Sequence, residues 1–140
     1  MEPREIGSFI DRTYKAVRQD LLNRFKEANL DLTPEQWVIL SRLSDEGAQY
    51  QSELAHHSFR DKPTVSRIID LLAKKGYVKR ESTDDRRKWQ INLTVGGEQL
   101  VNKAMPIVIA SRERGCKDLS MLEYDALVVA LDKIFNNYTQ

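Results

Sequence analysis

Apolar residues recur every three or four positions through the first part of the chain: Ile6, Ile10, Tyr14, Val17, Leu21, Phe25 and Ala28. That spacing places them on one stripe, with charged residues on the opposite face, and predicts a long amphipathic helix over residues 4–29. The pattern breaks at 29–32. Thr33-Pro34-Glu35-Gln36 then has the chemistry of a helix start. Thr33 can cap, Pro34 suits the first turn, and Gln36 stands at the capping-box position. Trp37, Val38, Leu40 and Leu43 continue this second helix, and Gly47 lies where a stop is expected. A short helix at 51–57 follows, with Leu54 and Ala55 inward. After an irregular stretch at 58–61, Val65, Ile68, Ile69 and Leu72 sit at i, i+3, i+4 and i+7 and predict a helix over 62–75. It ends in Lys74-Lys75-Gly76, where cations meet the helix dipole and glycine takes a left-handed conformation.

Alternation then replaces helical spacing. Tyr77-Val78-Lys79-Arg80-Glu81-Ser82 forms one run, and Trp89, Ile91 and Leu93 alternate with Gln90 and Asn92 in another. The polar segment 83–88 between them is longer than a tight turn. The expectation is a two-stranded ribbon with a projecting charged tip. Thr94 ends the second strand and can cap a helix over 95–115, with a bend expected at Pro106, which removes a backbone donor. Ser120-Met121-Leu122-Glu123 is a second capping box. Leu127, Leu131, Ile134, Phe135 and Tyr138 carry the last helix. A short helix joined tightly to another and followed directly by a ribbon has the layout of a winged helix-turn-helix. The fold class expected is mainly α with a small β-ribbon wing.

Composition bounds this picture without sharpening it. A length of 140 residues suits a single domain over 1–140, and an apolar fraction of 41% is enough to build a core. No internal repeat or linker is visible. Cys116 is the only cysteine, so no intrachain disulfide forms. The apolar run at 105–110 is far short of the roughly 20 residues that span a bilayer. The charged start Met1-Glu2-Pro3-Arg4-Glu5 leads into no apolar signal segment. A soluble cytoplasmic chain with no membrane association is expected.

Charge changes the picture once it is divided. The totals, 22 Lys+Arg against 21 Asp+Glu, argue at face value against a nucleic-acid coat. Residues 60–90, however, hold ten basic and five acidic residues, a local +5, and the remainder holds 12 and 16, a local −4. A basic centre between acidic flanks suits a large anion, and nucleic acid is the commonest.

The candidate chemistry follows from that layout. A helix fits the DNA major groove with its N-terminal side chains toward base edges. The stripe of the 62–75 helix leaves Lys62, Thr64, Ser66, Arg67 and Asp70 outward. Thr64 and Ser66 can bond bases or phosphates, and Arg67 can bond guanine with two N–H groups or clamp a phosphate. The basic tip Arg86-Arg87-Lys88 suits the narrow minor groove. Lys74, Lys75, Lys79 and Arg80 flank the ribbon near the DNA backbone. Each feature alone is commonly a solvated face or an edge that resists aggregation. Their order, together with the local charge, is what points to double-stranded DNA. No phosphate loop, nucleophile elbow or carboxylate pair is present, so an enzyme is not expected. The adjacent His56 and His57 point to different helix faces, and neither a metal nor a cofactor is expected.

The strings Ser52-Glu53-Leu54-Ala55, Asp61-Lys62-Pro63-Thr64-Val65-Ser66-Arg67-Ile68-Ile69-Asp70-Leu71-Leu72 and Lys74-Lys75-Gly76-Tyr77-Val78 resemble the MarR family of bacterial winged-helix regulators. The wing Asp84-Asp85-Arg86-Arg87-Lys88-Trp89-Gln90-Ile91-Asn92-Leu93-Thr94, followed by Gly97, is similar to that family's D-x-R … L-T signature. The run at 33–40 resembles its second helix. The resemblance implies a homodimeric transcriptional regulator, commonly a repressor, with a winged helix-turn-helix at 33–94 and a helical dimerisation region at 1–30 and 95–140. Two-fold symmetry then implies a pseudo-palindromic operator. It implies that Asp85 orients Arg87 into the minor groove; a second register pairs Asp84 with Arg86. The combined reading assigns Lys62, Pro63, Thr64, Ser66 and Arg67 to the recognition helix, and Asp85, Arg86, Arg87 and Lys88 to the wing. Gln51, Ser52, Arg60 and Lys74 are assigned to the DNA backbone.

Many members of the family bind a small effector between the dimerisation helices and the winged helix. Phe9, Tyr14 and Trp37 are the candidates here, against plain core packing. Oxidation-sensing members generally carry a reactive cysteine near the N-terminus, so Cys116 is expected to be a structural or incidental thiol. Two departures stand out: Ser58-Phe59 where the family has an apolar residue and glycine, with Phe59 expected to pack inward, and Gly96-Gly97 where one glycine is usual. The alternative function is a winged-helix protein-interaction module without specific DNA binding.

Overall fold

Helix caps act where the sequence places them. In the computed structural model, which describes residues 5–58, 60–85 and 87–140, the Thr33 hydroxyl accepts a hydrogen bond from the Gln36 N–H at 3.2 Å. The Gln36 side chain accepts one from the Thr33 N–H at 3.1 Å. Ser120 and Glu123 repeat the reciprocal pair at the last helix. Thr94 accepts from the Gly97 N–H at 3.1 Å. Asp61, read from the sequence only as part of an irregular connection, accepts from the Thr64 N–H at 2.7 Å and starts the helix after it. Each cap satisfies a donor orphaned at a helix start and contributes about 1 kcal/mol.

The elements run α1 (Ile6–Glu27), α2 (Pro34–Glu46), β1 (Gln49–Tyr50), α3 (Gln51–Ser58), α4 (Lys62–Lys74), β2 (Val78–Ser82), β3 (Trp89–Leu93), α5 (Val95–Gly115) and α6 (Met121–Thr139). The fold is mainly helical with a small antiparallel sheet, as expected. The sheet has three strands, in the order β1-β3-β2, where two were expected. Gln49 pairs with Ile91 and Tyr50 with Gln90, on the edge of β3 opposite β2. Two residues are too few to show alternation, so β1 exists only through its partner. α5 remains one helix through Pro106.

The core forms where α1, α2, α3, α4, β3 and α5 meet. Phe25, Leu40, Leu54, Val65, Ile69, Leu72, Ile91 and Ala104 are wholly inaccessible. On α2 the buried face is Gln36, Ile39, Leu40 and Leu43, at i, i+3, i+4 and i+7, with Trp37 beside it. Val38 falls on the opposite face and is exposed. Polar links bind α1 to its neighbours. Arg18 grips Glu35 of α2 with two N–H groups, at 2.6 and 2.9 Å. Asp20 accepts from Ser111 of α5 at 2.8 Å and from Arg24 at 2.8 Å, and it pairs with Arg114.

Two glycines shape the junction below the sheet. Gly76 ends α4 with φ +84, a left-handed conformation that favours glycine. Gly97 lies so close to the Tyr77 backbone that a Cβ there would stand 2.1 Å from its carbonyl oxygen. The far side of the molecule contrasts with this packing. α6 buries none of its residues. Ile6, Ile10, Tyr14 and Val17 of α1, with Leu127, Leu131 and Phe135 of α6, stand exposed.

Candidate nucleic-acid interface

α4 buries Val65, Ile69 and Leu72 against the core, which turns the rest of its surface outward. Lys62, Pro63, Arg67 and Asp70 are exposed, and Thr64 and Ser66 are half-buried. The Arg67 guanidinium donates to the Thr64 hydroxyl at 3.3 Å, so the two candidates form one polar unit a turn into the helix. The cap holds the Asp61 carboxyl below the ordinary carboxylate range, first through the Thr64 N–H. The hydrogen bond to the Thr64 N–H therefore favours the charged carboxylate at this helix start.

The wing tip is closed by its own backbone contacts. The Thr83 hydroxyl lies 2.8 Å from the Asp85 carbonyl and 3.0 Å from the Lys88 carbonyl. The Lys88 N–H donates to the Asp85 carbonyl at 3.0 Å. The Asp85 carboxylate accepts from the Arg87 N–H at 3.0 Å, so it orients the backbone of Arg87 and leaves the exposed guanidinium to reach outward. The Lys88 ammonium lies 5.3 Å from the centre of the Tyr50 ring, a cation–π contact from tip to β1.

An open groove of about 520 Å³ joins these parts. Tyr50, Gln51, Ser52, Ala55, Lys62, Asp85, Arg87, Lys88 and Trp89 line it. It brings together six of the assigned residues, from the start of α3, the start of α4 and the wing. Thr64, Ser66, Arg67, Arg60 and Lys74 lie outside its walls. Tyr50 and Trp89 were not foreseen. Trp89 shares a strand face with Ile91 and Leu93, but those two lie over the core, whereas Trp89 stands beyond its edge and is 47% exposed. Arg86, and Phe59 with its expected inward packing, lie outside the described residues.

Three of the four cations placed beside the ribbon are bound to acids of the protein. Lys75 pairs with Asp31 at 2.9 Å, Lys79 with Glu81 at 3.2 Å and Arg80 with Asp70 at 2.5 Å. Lys74 is exposed. Periodicity shows which face a residue takes but not which cross-element partner it meets. Gln51 likewise accepts from the Arg80 Nε at 3.4 Å.

The effector candidates separate. Trp37 is buried and lines an apolar cavity of about 840 Å³ between α1, α5 and the start of α6, whose wall includes Val17, Val108, Cys116, Leu119 and Tyr124. Phe9 and Tyr14 are exposed on α1 and line no part of it. Arg12 covers the Phe9 ring, and the Tyr14 hydroxyl accepts from Arg60 at 3.3 Å. The His56 and His57 rings touch edge to face, 5.2 Å apart, so their side chains converge although their backbone positions diverge. Among the described residues, no group of three or more His, Cys, Asp or Glu could hold a metal ion. No helix there is long and apolar enough to cross a membrane.

Comparison with known proteins agrees with this arrangement. The MarR family model matches residues 32–89, from the approach to α2 to the first residue of β3. BpsR of Bordetella bronchiseptica, whose DNA binding is regulated by 6-hydroxynicotinic acid, is 26% identical with a TM-score of 0.80, over 94% of this chain and 98% of that one. A protein of unknown function from Listeria innocua is 30% identical with a TM-score of 0.70, over 95% and 92%. A MarR variant of E. coli in complex with operator DNA shares the fold at 22% identity, with a TM-score of 0.86 over 94% of each chain. Residues 32–89 therefore carry a MarR family domain, and the chain as a whole shares the fold of the operator-bound E. coli protein.

Proposed function

We propose that the protein is a homodimeric, sequence-specific DNA-binding regulator, acting as a repressor at a pseudo-palindromic operator and relieved by a small-molecule effector. The shared groove carries this reading. It gathers Lys62, Arg87 and Lys88 with Gln51 and Ser52 on one face, the arrangement needed for a helix in the major groove and a wing in the adjacent minor groove. Lys62, Pro63, Thr64, Ser66 and Arg67 would meet base edges and nearby phosphates. Arg87 and Lys88 would enter the minor groove on a turn held by Asp85, and Gln51, Ser52, Arg60 and Lys74 would meet the backbone. Residues 33–94 form the DNA-binding part, and 1–30 with 95–140 the dimerisation part. Support for the dimer comes from α6, which leaves a full helix of apolar side chains uncovered. Support for an effector comes from the cavity beside Trp37 and from the regulation of BpsR. An effector would act by favouring one spacing of the two recognition helices. Such a protein acts in the cytoplasm and is a regulator, not an enzyme.

Selection of bound duplexes from a random pool tests the reading. A common pseudo-palindrome should emerge, its affinity should fall steeply with salt, and Arg67→Ala and Arg87→Ala should weaken binding while the dimer stays folded. Unchanged affinity in both variants sinks the assignment of the site. Absence of duplex binding at low salt would favour the protein-interaction module.

A further inference from the structure

A recognition helix and a wing must be held in register to reach DNA together. Arg80, on the first strand of the wing opposite Ile91, spans that gap. Its Nη2 lies 2.5 Å from Asp70 Oδ1 and 3.5 Å from the Ser66 carbonyl oxygen, and its Nε lies 3.4 Å from Gln51 Oε1. Ser66 and Asp70 stand one turn apart on α4, and Gln51 opens α3. One guanidinium therefore touches both helices of the helix-turn-helix from the strand beside them. The Arg80 side chain is 27% exposed and that of Asp70 61%. A pair so open adds little to stability, but the rigid fork of arginine fixes direction in a way that a lysine ammonium does not. Asp70 is also an acid on the face that would approach phosphates, and Coulomb's law alone makes it unfavourable there.

We propose that Arg80, acting through Asp70, is a positioning residue of DNA recognition. It sets the rotation of α4 relative to the wing and makes no phosphate contact of its own. The inference rests on the DNA-binding reading given above.

The test compares Asp70→Asn, Arg80→Met and Arg80→Lys on two probes: the duplex that the wild-type protein selects from a random pool, and a scrambled duplex of equal length and composition. Removing the Asp70 charge should tighten binding to both duplexes if charge alone matters. Positioning predicts the opposite sign on the selected duplex. Asp70→Asn should bind it about tenfold more weakly, within the range of coupled polar pairs, and bind the scrambled duplex no less tightly than wild type. Arg80→Lys, which keeps the charge and loses the fork, should fall like Arg80→Met. The salt dependence of Arg80→Met should keep its slope, whereas loss of a phosphate contact lowers it by about 0.9. Tighter binding of Asp70→Asn to the selected duplex, rescue by Arg80→Lys, or a reduced slope in Arg80→Met overturns the inference. Asp70→Asn carries the test alone if the Arg80 variants do not fold. A wild-type protein that prefers no duplex would remove the DNA reading itself, a result distinct from a failure of Arg80.

Discussion

Replacing Gly97 with alanine adds one methyl group where the fold has no room for it. The new Cβ would stand 2.1 Å from the Tyr77 carbonyl oxygen and 3.1 Å from the Leu93 Cδ2. A carbon–oxygen contact is ordinarily about 3.3 Å or more, so α5 and the Tyr77 corner must part by roughly 1 Å. The corner cannot yield freely. The Tyr77 carbonyl accepts from the Thr94 N–H at 3.1 Å, the Gly76 carbonyl accepts from the Thr94 hydroxyl at 2.5 Å, and the Tyr77 N–H donates to the Leu72 carbonyl at 2.9 Å. Overpacking costs about 1–3 kcal/mol and each hydrogen bond lost about 1, while the helix gains up to about 1 from alanine. The net expectation is a loss of about 2–3 kcal/mol, or roughly 5–10 °C in Tm for a chain of this size. Gly96 is the control. A Cβ there meets the Gly76 carbonyl oxygen at 3.5 Å, an ordinary contact, so Gly96→Ala should hold or raise stability by up to about 1 kcal/mol. Urea unfolding followed by circular dichroism, at one protein concentration because the proposed dimer would contribute to stability, separates the two. A Gly97→Ala midpoint equal to wild type, or an equal drop in Gly96→Ala, would refute the reasoning.

Acid should weaken the links of α1. The Asp20 carboxyl is held below its ordinary value chiefly by the Ser111 hydroxyl and then by Arg24, with Arg114 adding and burial opposing; that of Glu35 is lowered chiefly by Arg18. Their contribution is complete above the unfolded carboxylate value, near pH 4, and is lost as pH falls through the lower folded values. Combining Asp20→Asn with Glu35→Gln should therefore lower Tm at neutral pH and flatten its decline below about pH 4; an undiminished decline counts against these two sites. Leu127→Asp with Leu131→Asp places charges on the uncovered face of α6 and should give a monomer by light scattering, and an intact dimer would show that the interface lies elsewhere. Lys74→Ala should lower the salt slope of duplex binding by about 0.9 while Lys75→Ala, whose ammonium is paired with Asp31, leaves it unchanged; equal effects would mean that the pair opens on DNA.

Most of the element plan was legible because periodicity and capping are local. The stripe of α4, the boxes at Thr33 and Ser120, and the left-handed stop at Gly76 all depend on residues a few positions apart. The same locality explains the misses. β1 depends on pairing with Ile91 and Gln90, some forty residues on. Val38 and Gln36 exchange the places that hydropathy would give them, because the angle of α2 to the core, and the cap bond of Gln36, decide its buried face.

For the candidate site, the basic stretch at 60–90 and the order helix, helix, wing were plain in the sequence alone. Charge sign is a property of composition, and the order of elements is a property of local pattern. Which cations remain available was not plain. Lys75, Lys79 and Arg80 meet acids of the protein, so the tertiary structure narrows a run of like charges to fewer unpaired ones. It also decided that Gly97, and not Gly96, is the glycine without space for a side chain, and that Trp37 alone of three candidates borders the apolar cavity. Local pattern determines what each segment becomes. Contacts between segments distant in the chain decide what each side chain meets, because burial, pairing and close approach are set only when the elements pack.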